Sequence, residues 1–339
     1  MNEAFEARAA EILAQMTPEE KAGQVFLAHF PAGDVEELIR TWHPGGFVLF
    51  ARDFENKSPE ELKADTERYN RAANLPLIFS ADEEGGTVVR ISKFPQYRSE
   101  PFLSPKALFA AGGWDGVAAE THEKAQLMKR IGVNVNLAPV CDYSLNEEAY
   151  ISRRVFGRSP EESARFAETV VRVMNEEGVG CTLKHFPGYG GNSDTHKNMA
   201  YDVRPLSVFE EEDLKPFAAG IAAGADCVMV AHNIVRCIDD EYPASLSPAM
   251  HRLLREKMGF DGVIVTDSLT MSAIREFTGG KDPCTDAILC GNDLIITSHY
   301  VQGMEAVRES VLNGTIPMPL LDAAVMRILK LKLKLRILA

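Results

Sequence analysis

Residues 184–196 of the 339-residue chain read KHFPGYGGNSDTH. Lys184 and His185 end an apolar run, a Pro-Gly pair and a Gly-Gly loop follow, and Asp194, Thr195 and His196 close the stretch. A connecting loop needs its glycines, but it does not need a lysine, two histidines and an aspartate so close together. Histidine titrates near neutrality and can give and take a proton, and an aspartate beside it can orient the ring. Asp267 is carried to the end of GVIVTDSL (262–269) by four apolar or β-branched residues. A carboxylate so placed can be a nucleophile, a base, a metal ligand or a hydrogen-bonded structural group. SADEEGGTVVR (80–90) supplies Asp82, Glu83 and Glu84, a Gly-Gly turn that lets backbone approach a ligand, and the planar donor fork of Arg90. ISRRVFGRSP (151–160) adds Arg153 and Arg154, of which one is expected to point inward and the other into solvent. His29 and His299 read as rim or packing histidines.

These side chains need a scaffold that brings them together. Eight short apolar runs qualify as strands: 23–30, 45–52, 76–84, 134–142, 180–187, 227–234, 262–269 and 293–299. Amphipathic stretches lie between them, at 58–73, 115–131, 160–177, 209–223, 247–258 and 301–312. Continuously apolar strands separated by helices predict a parallel sheet covered on both faces. Eight such units in this length predict an α/β fold, a single (β/α)8 barrel of the TIM type, with residues 1–339 as one domain. Each strand ends in a polar group: His29, Arg52, Asp82 with Glu83 and Glu84, Asp142, Lys184 with His185, His232 with Asn233, Asp267, and His299. In such a barrel the C-terminal rim of the strands builds the active site. Eight polar strand ends on one rim describe a charged pocket for a polar ligand. The run 319–337 reads as a final packing helix whose lysines and arginines are expected to face solvent.

Composition narrows the choices. With 45% hydrophobic and 25% charged residues the chain is globular, and a net charge of −13 argues against nucleic acid or an anionic membrane as partner. No apolar run approaches the roughly 20 residues of a membrane helix, and the charged start lacks the apolar core of a signal peptide. The expected location is therefore the cytoplasm. Six cysteines form no CxxC pair, which suits a reducing compartment. No metal-ligand cluster, Walker loop or GxGxxG is present, so no cofactor and no metal are expected.

Taken together, KHFPGYGGNSDTH, ADEEGG with Arg90, RVFG, YPASLSPAMHRLLREKMGFDGVIVTDSLTM and ILAQMTPEEKAGQVF resemble glycoside hydrolase family 3 over about residues 8–335. Within that family the resemblance is to single-domain β-N-acetylglucosaminidases of NagZ type. It implies retaining hydrolysis through a covalent glycosyl-enzyme. By the same match Asp267 is the nucleophile, and His196 paired with Asp194 is the acid/base dyad on a flexible loop after the fifth strand. Asp82 would accept hydrogen bonds from sugar hydroxyls, and Arg90, Arg154, Lys184 and His185 would complete the floor of the sugar subsite. The implied substrate is a small carbohydrate with terminal β-N-acetylglucosamine, from peptidoglycan fragments in cell-wall recycling or from chitooligosaccharides. The chain departs from the pattern in three places: one residue fewer between Lys184 and Asp194, Tyr189 where histidine is common, and Ser268 where an acidic residue is common.

Other readings stay open on the sequence. A family 3 β-glucosidase or β-xylosidase usually takes its acid/base glutamate from a second domain. A histidine acid/base also suits an N-acetylglucosaminide phosphorylase, because a carboxylate would repel phosphate. A metal-dependent barrel hydrolase would want an HxH pair at the first strand, where only His29 stands. A sugar-binding barrel without turnover would be expected to have lost one of Asp267, Asp194 or His196.

Overall fold

The computed structural model describes residues 3–191, 194–195 and 197–338. Eight strands form one parallel sheet: β1 Phe26–His29, β2 Gly46–Leu49, β3 Ile78–Ala81, β4 Val135–Asn136, β5 Gly180–Phe186, β6 Cys227–Val230, β7 Val263–Thr266 and β8 Ile295–Thr297. Neighbours follow chain order from β1 to β7, and β8 pairs with β1. A parallel bridge from Val265 to Leu294 and a bond from Thr266 N–H to Leu294 O, 3.0 Å, join β7 to β8 and close the barrel. The fold class is the one the strand-helix rhythm predicts. Every residue of β2, β3, β6 and β7 is buried, as strands covered by helices on one side and by barrel interior on the other must be.

The helices begin where the sequence punctuates them. Thr17-Pro-Glu-Glu, Ser58-Pro-Glu-Glu and Ser159-Pro-Glu-Glu each place a hydroxyl at the N-cap, proline in the first turn and acids against the positive helix end. The first two complete a reciprocal capping box. In the third, Glu162 pairs with Arg158 at 2.7 Å. Helices Pro59–Ala72, Pro160–Glu177 and Tyr300–Leu312 match their expected ranges closely. The expected helix at 115–131 instead starts at Pro105, because Ser104 caps it, and it passes through a kink at Gly113, φ 57°. Gly46 shows how tightly the sheet is wound: a Cβ there would meet Ile78 O at 2.1 Å.

Three expectations need correction. Only Val135 and Asn136 of the fourth run pair on both sides, since Pro139 interrupts its end, although Thr182 N–H still bonds Ala138 O at 2.9 Å. Arg52 does not end a strand at the rim: it sits in the short helix Ala51–Phe54, its side chain exposed and near Asp53. The cations of the last helix, Met318–Lys334, do not simply face water. Lys332 is fully buried and donates to Gln24 Oε1 at 2.7 Å, Lys334 pairs with Asp226 at 2.5 Å, and Arg327 pairs with Asp293 at 3.0 Å. Those three partners precede β1, β6 and β8, so the helix crosses the N-terminal end of the barrel and ties strand entrances together.

Candidate active site

At the opposite end the strands open into a cavity of 510 Å³. Asp82, Arg90, Arg154, Lys184, His185 and Asp267, six of the eight site residues expected from sequence, line it. They arrive from β5 and from the segments that follow β3, β4 and β7.

The floor is a buried charge network. Lys184 reaches both Asp82 Oδ1 and Glu84 Oε1 at 2.6 Å. Arg154 grips Glu84 with two donors, Nε to Oε2 at 3.0 Å and Nη2 to Oε1 at 2.8 Å. Burial would raise the Glu84 carboxyl, but Lys184 and Arg154 hold it well below the usual carboxylate range. Burial likewise opposes the charge on Lys184, and Asp82 with Glu84 overcomes it. Arg90 approaches Asp82 Oδ2 at 3.5 Å, and its buried Nε–H has no hydrogen-bond partner among the described residues. A ligand oxygen would satisfy that donor.

His185 extends the network. The Arg154 guanidinium can only donate, so His185 Nε2, 3.2 Å from Nη2, accepts, and Nδ1 carries the proton to Asp142 Oδ2 at 2.7 Å. Asp142 also accepts from the backbone N–H of His185 at 3.1 Å and of Tyr189 at 2.8 Å. Adjacent residues of a regular strand face opposite sides, yet Lys184 and His185 both line the cavity. A register shift between Leu183 and Phe186 accounts for it by re-aiming the strand end.

Across the cavity stands Asp267, immediately after β7. Its Oδ1 accepts the Ser268 N–H at 2.7 Å. His232, buried after β6, takes a bond between Nδ1 and Ser245 Oγ, 2.8 Å, and one between Nε2 and Ser268 O, 3.0 Å, so it braces the peptide that follows Asp267. His29 meets Ser268 Oγ at 3.2 Å and lies against Phe50, ring centroids 4.7 Å apart. Burial and Arg52 push the His29 pKa down to about 4, against the pull of Asp267 and Asp82, so the ring is neutral near pH 7.

Asp194 sits half-buried on the loop after β5. Burial raises the Tyr150 phenol, and the charges of Asp194 and Asp267 both raise it further. The loop leaves β5 through Gly188, φ 122°, where a Cβ would lie 2.4 Å from Asp213 Oδ1. His196 lies outside the described residues. Of the two arginines after β4, Arg154 turns inward and Arg153 is exposed. His299 does not line the cavity, and His29 does.

Sequence reasoning missed Glu84, Asp142 and Tyr150. Glu84 was in view as one of three carboxylates, but sequence alone could not show that Glu83 turns away to collect the N–H groups of Arg90, Ile91 and Ser92 while Glu84 turns inward. Asp142 carried the strand-end signal. Tyr150 carried none. Among the described residues no cluster of three metal-ligating side chains occurs, and no helix is long and apolar enough to cross a membrane.

Residues 17–331 match the family described as Glycosyl hydrolase family 3 N terminal domain. A beta-hexosaminidase of Xylella fastidiosa (strain M12) is 38% identical over 261 residues, 75% of this chain and 76% of the relative. The glycoside hydrolase family 3 beta-N-acetylglucosaminidase from Paenibacillus sp. str. FPU-7 superposes with a TM-score of 0.88 at 31% identity. That match covers 95% of this chain but 63% of the Paenibacillus chain, so the chain spans less than two thirds of that protein's length. The beta-N-acetylhexosaminidase from Beutenbergia cavernae DSM 12333 gives a TM-score of 0.81 at 26% identity, covering 93% of this chain and 98% of its own. The chain belongs to glycoside hydrolase family 3.

Proposed function

We propose that the protein is a retaining exo-β-N-acetylhexosaminidase, acting as one catalytic domain on terminal β-N-acetylglucosamine of peptidoglycan fragments or chitooligosaccharides. The observation that carries the reading is Asp267 facing, across a sugar-sized cavity, a floor of paired cations and carboxylates. Relatives named beta-hexosaminidase support the N-acetylated sugar over plain glucose.

In the proposed reaction Asp267 attacks the anomeric carbon from below. The bond to the leaving oxygen breaks, that oxygen takes a proton from His196, and a glycosyl ester on Asp267 remains. Water then loses a proton to His196 and adds to the same carbon, which returns Asp267 as a carboxylate. Asp194 orients the imidazole and stabilises its charged form. The Ser268 N–H on Oδ1 fixes the plane of the Asp267 carboxylate before attack. Lys184 holds Asp82 in place to accept from sugar hydroxyls, and Arg90 with its unmatched Nε–H donates to a ligand oxygen. His185 and Arg154 complete the floor. Its hydrogen bonds count most if they tighten as the ring flattens toward the oxocarbenium-like transition state. The free cysteines, five buried and Cys237 exposed, suit a reducing compartment, and the reading accordingly places the substrate inside the cell.

The test is turnover of 4-nitrophenyl β-N-acetylglucosaminide and of the matching β-glucoside by wild type, Asp267→Ala and His196→Ala. The N-acetylated substrate should be preferred, and Asp267→Ala should lose on the order of 10⁴-fold or more in kcat. His196→Ala should lose most on poor leaving groups. Added phosphate should change neither rate nor product; formation of the sugar 1-phosphate would assign phosphorolysis instead. An active Asp267→Ala enzyme would sink the mechanism.

A further inference from the structure

The loop that carries Asp194 is rich in glycine, at 188, 190 and 191. Glycines give the backbone freedom but no side chain to pack, so something else must fix the loop. Thr195, the residue between Asp194 and His196, is fully buried. Its hydroxyl shares a short hydrogen bond with the Tyr189 phenol, and its carbonyl accepts the Ala273 N–H at 3.3 Å. Ala273 begins just past Met271 and Ser272, which line the cavity beyond Asp267.

Tyr189 is in turn built into the floor. It is 2% exposed, its N–H donates to Asp142 Oδ1 at 2.8 Å, and the other Asp142 oxygen holds His185. Its ring meets His185 edge-on at 5.2 Å and Tyr150 at 6.1 Å. Thr195 is thus bonded through its side chain to the floor after β5 and through its backbone to the segment after β7. We propose that Tyr189 is a positioning residue that, through the Thr195 hydroxyl, anchors the segment carrying Asp194 to both the sugar floor and the stretch after Asp267. The proposal rests on the acid/base roles assigned above. Burial, with Asp267 adding to it, holds the phenol well above its ordinary value, and either hydroxyl can donate in the bond to Thr195.

The mechanism makes the role distinguishable from plain core packing. An acid that is misplaced by an ångström matters for a poor leaving group and little for nitrophenolate, which departs without help. Tyr189→Phe, Thr195→Val, their double variant and Thr195→Ser are compared by kcat/KM on chitobiose and on 4-nitrophenyl β-N-acetylglucosaminide. Tyr189→Phe and Thr195→Val should each lose roughly 10- to 100-fold on chitobiose and no more than a few-fold on the nitrophenyl substrate. The double variant should be no worse than either single one, and Thr195→Ser should stay within about twofold of wild type. Equal losses on both substrates, additive losses, or a Thr195→Ser enzyme as poor as Thr195→Val would overturn the proposal. If Tyr189→Phe fails to fold, the Thr195 pair carries the test alone. Amide hydrogen exchange of peptides within 186–200 gives a readout independent of turnover. Faster exchange in Thr195→Val than in wild type is expected, and unchanged exchange counts against the bond as a fixing element. Should wild type turn over neither substrate, the function proposed above fails while the exchange result still decides the role of Tyr189 in holding the loop.

Discussion

Both ends of the barrel bury charge, and they use it differently. At the N-terminal end Asp226 meets Lys334, Asp293 meets Arg255 and Arg327, and Lys332 meets Gln24. There the cations come from helices and clamp residues that lead into strands. At the C-terminal end Lys184, Asp82, Glu84, Arg154, His185 and Asp142 come from strand ends and their own loops, and most of them face a cavity with Asp267 opposite. Buried ion pairs by themselves say little about function, because their desolvation cost can match their attraction. Position relative to the strand direction separates a brace from a site.

That contrast can be broken most directly at Lys184. Lys184→Met leaves Asp82 and Glu84 short of a cation and removes the group that aims Asp82. We expect kcat/KM on the nitrophenyl substrate to fall by roughly 10²-fold or more, with about 3 kcal/mol of stability lost in urea unfolding. Activity within twofold of wild type would reduce the rim network to a brace like the one below. Arg255→Ala at the other end leaves Asp293 with Arg327 as its remaining cation among the described residues, beside the Ile264 N–H. It should destabilise by about 2–3 kcal/mol while kcat and KM stay within twofold at temperatures where the variant is folded; a KM change beyond that would couple the two ends.

The smallest effect sharpens the contrast through pH. Burial pushes the Lys332 ammonium down to about 7 from 10.5. Between those values the unfolded chain binds a proton that the folded chain does not, so this group makes stability rise with pH across that window. The destabilisation is present in full at and below about pH 7 and is gone near 10.5. Lys332→Met should therefore gain about 1–2 kcal/mol at pH 6.5, discounted for the lost Gln24 bond, and much less at pH 9.5. Urea midpoints at the two pH values test it, and an equal gain at both would show that Lys332 does not titrate in this way.

Much of this was legible in the chain itself, for physical reasons that differ by region. The strands read cleanly because two-sided burial demands uninterrupted apolar residues, as in Val263–Thr266 and Cys227–Val230. Helix starts read cleanly at Ser58 and Ser159 because capping is local chemistry. The side chains of Asp82, Lys184 and Asp267 were legible because a charge that ends an apolar strand belongs at the rim, where water or a ligand can meet it. Pairing was not legible. Nothing local tells Glu83 from Glu84, or says that Asp142 divides its two oxygens between His185 and Tyr189, since both outcomes depend on turns that bring distant residues together. The same limit misplaced Lys332. Its helix reads as a packing helix with cations facing solvent, and only the barrel base shows which of them it covers.

The helix that crosses that base also has a consequence for how the molecule comes into being. Met318–Lys334 leaves the ribosome after all eight strands, yet it supplies the cation for Asp226 and one of those for Asp293. A growing chain can form its strand-helix pairs one after another, but its base stays open, with Asp226 short of its cation, until this helix emerges. Covering of the base therefore comes after the strands are made, and a barrel still lacking this helix exposes apolar and charged surface that the finished one buries.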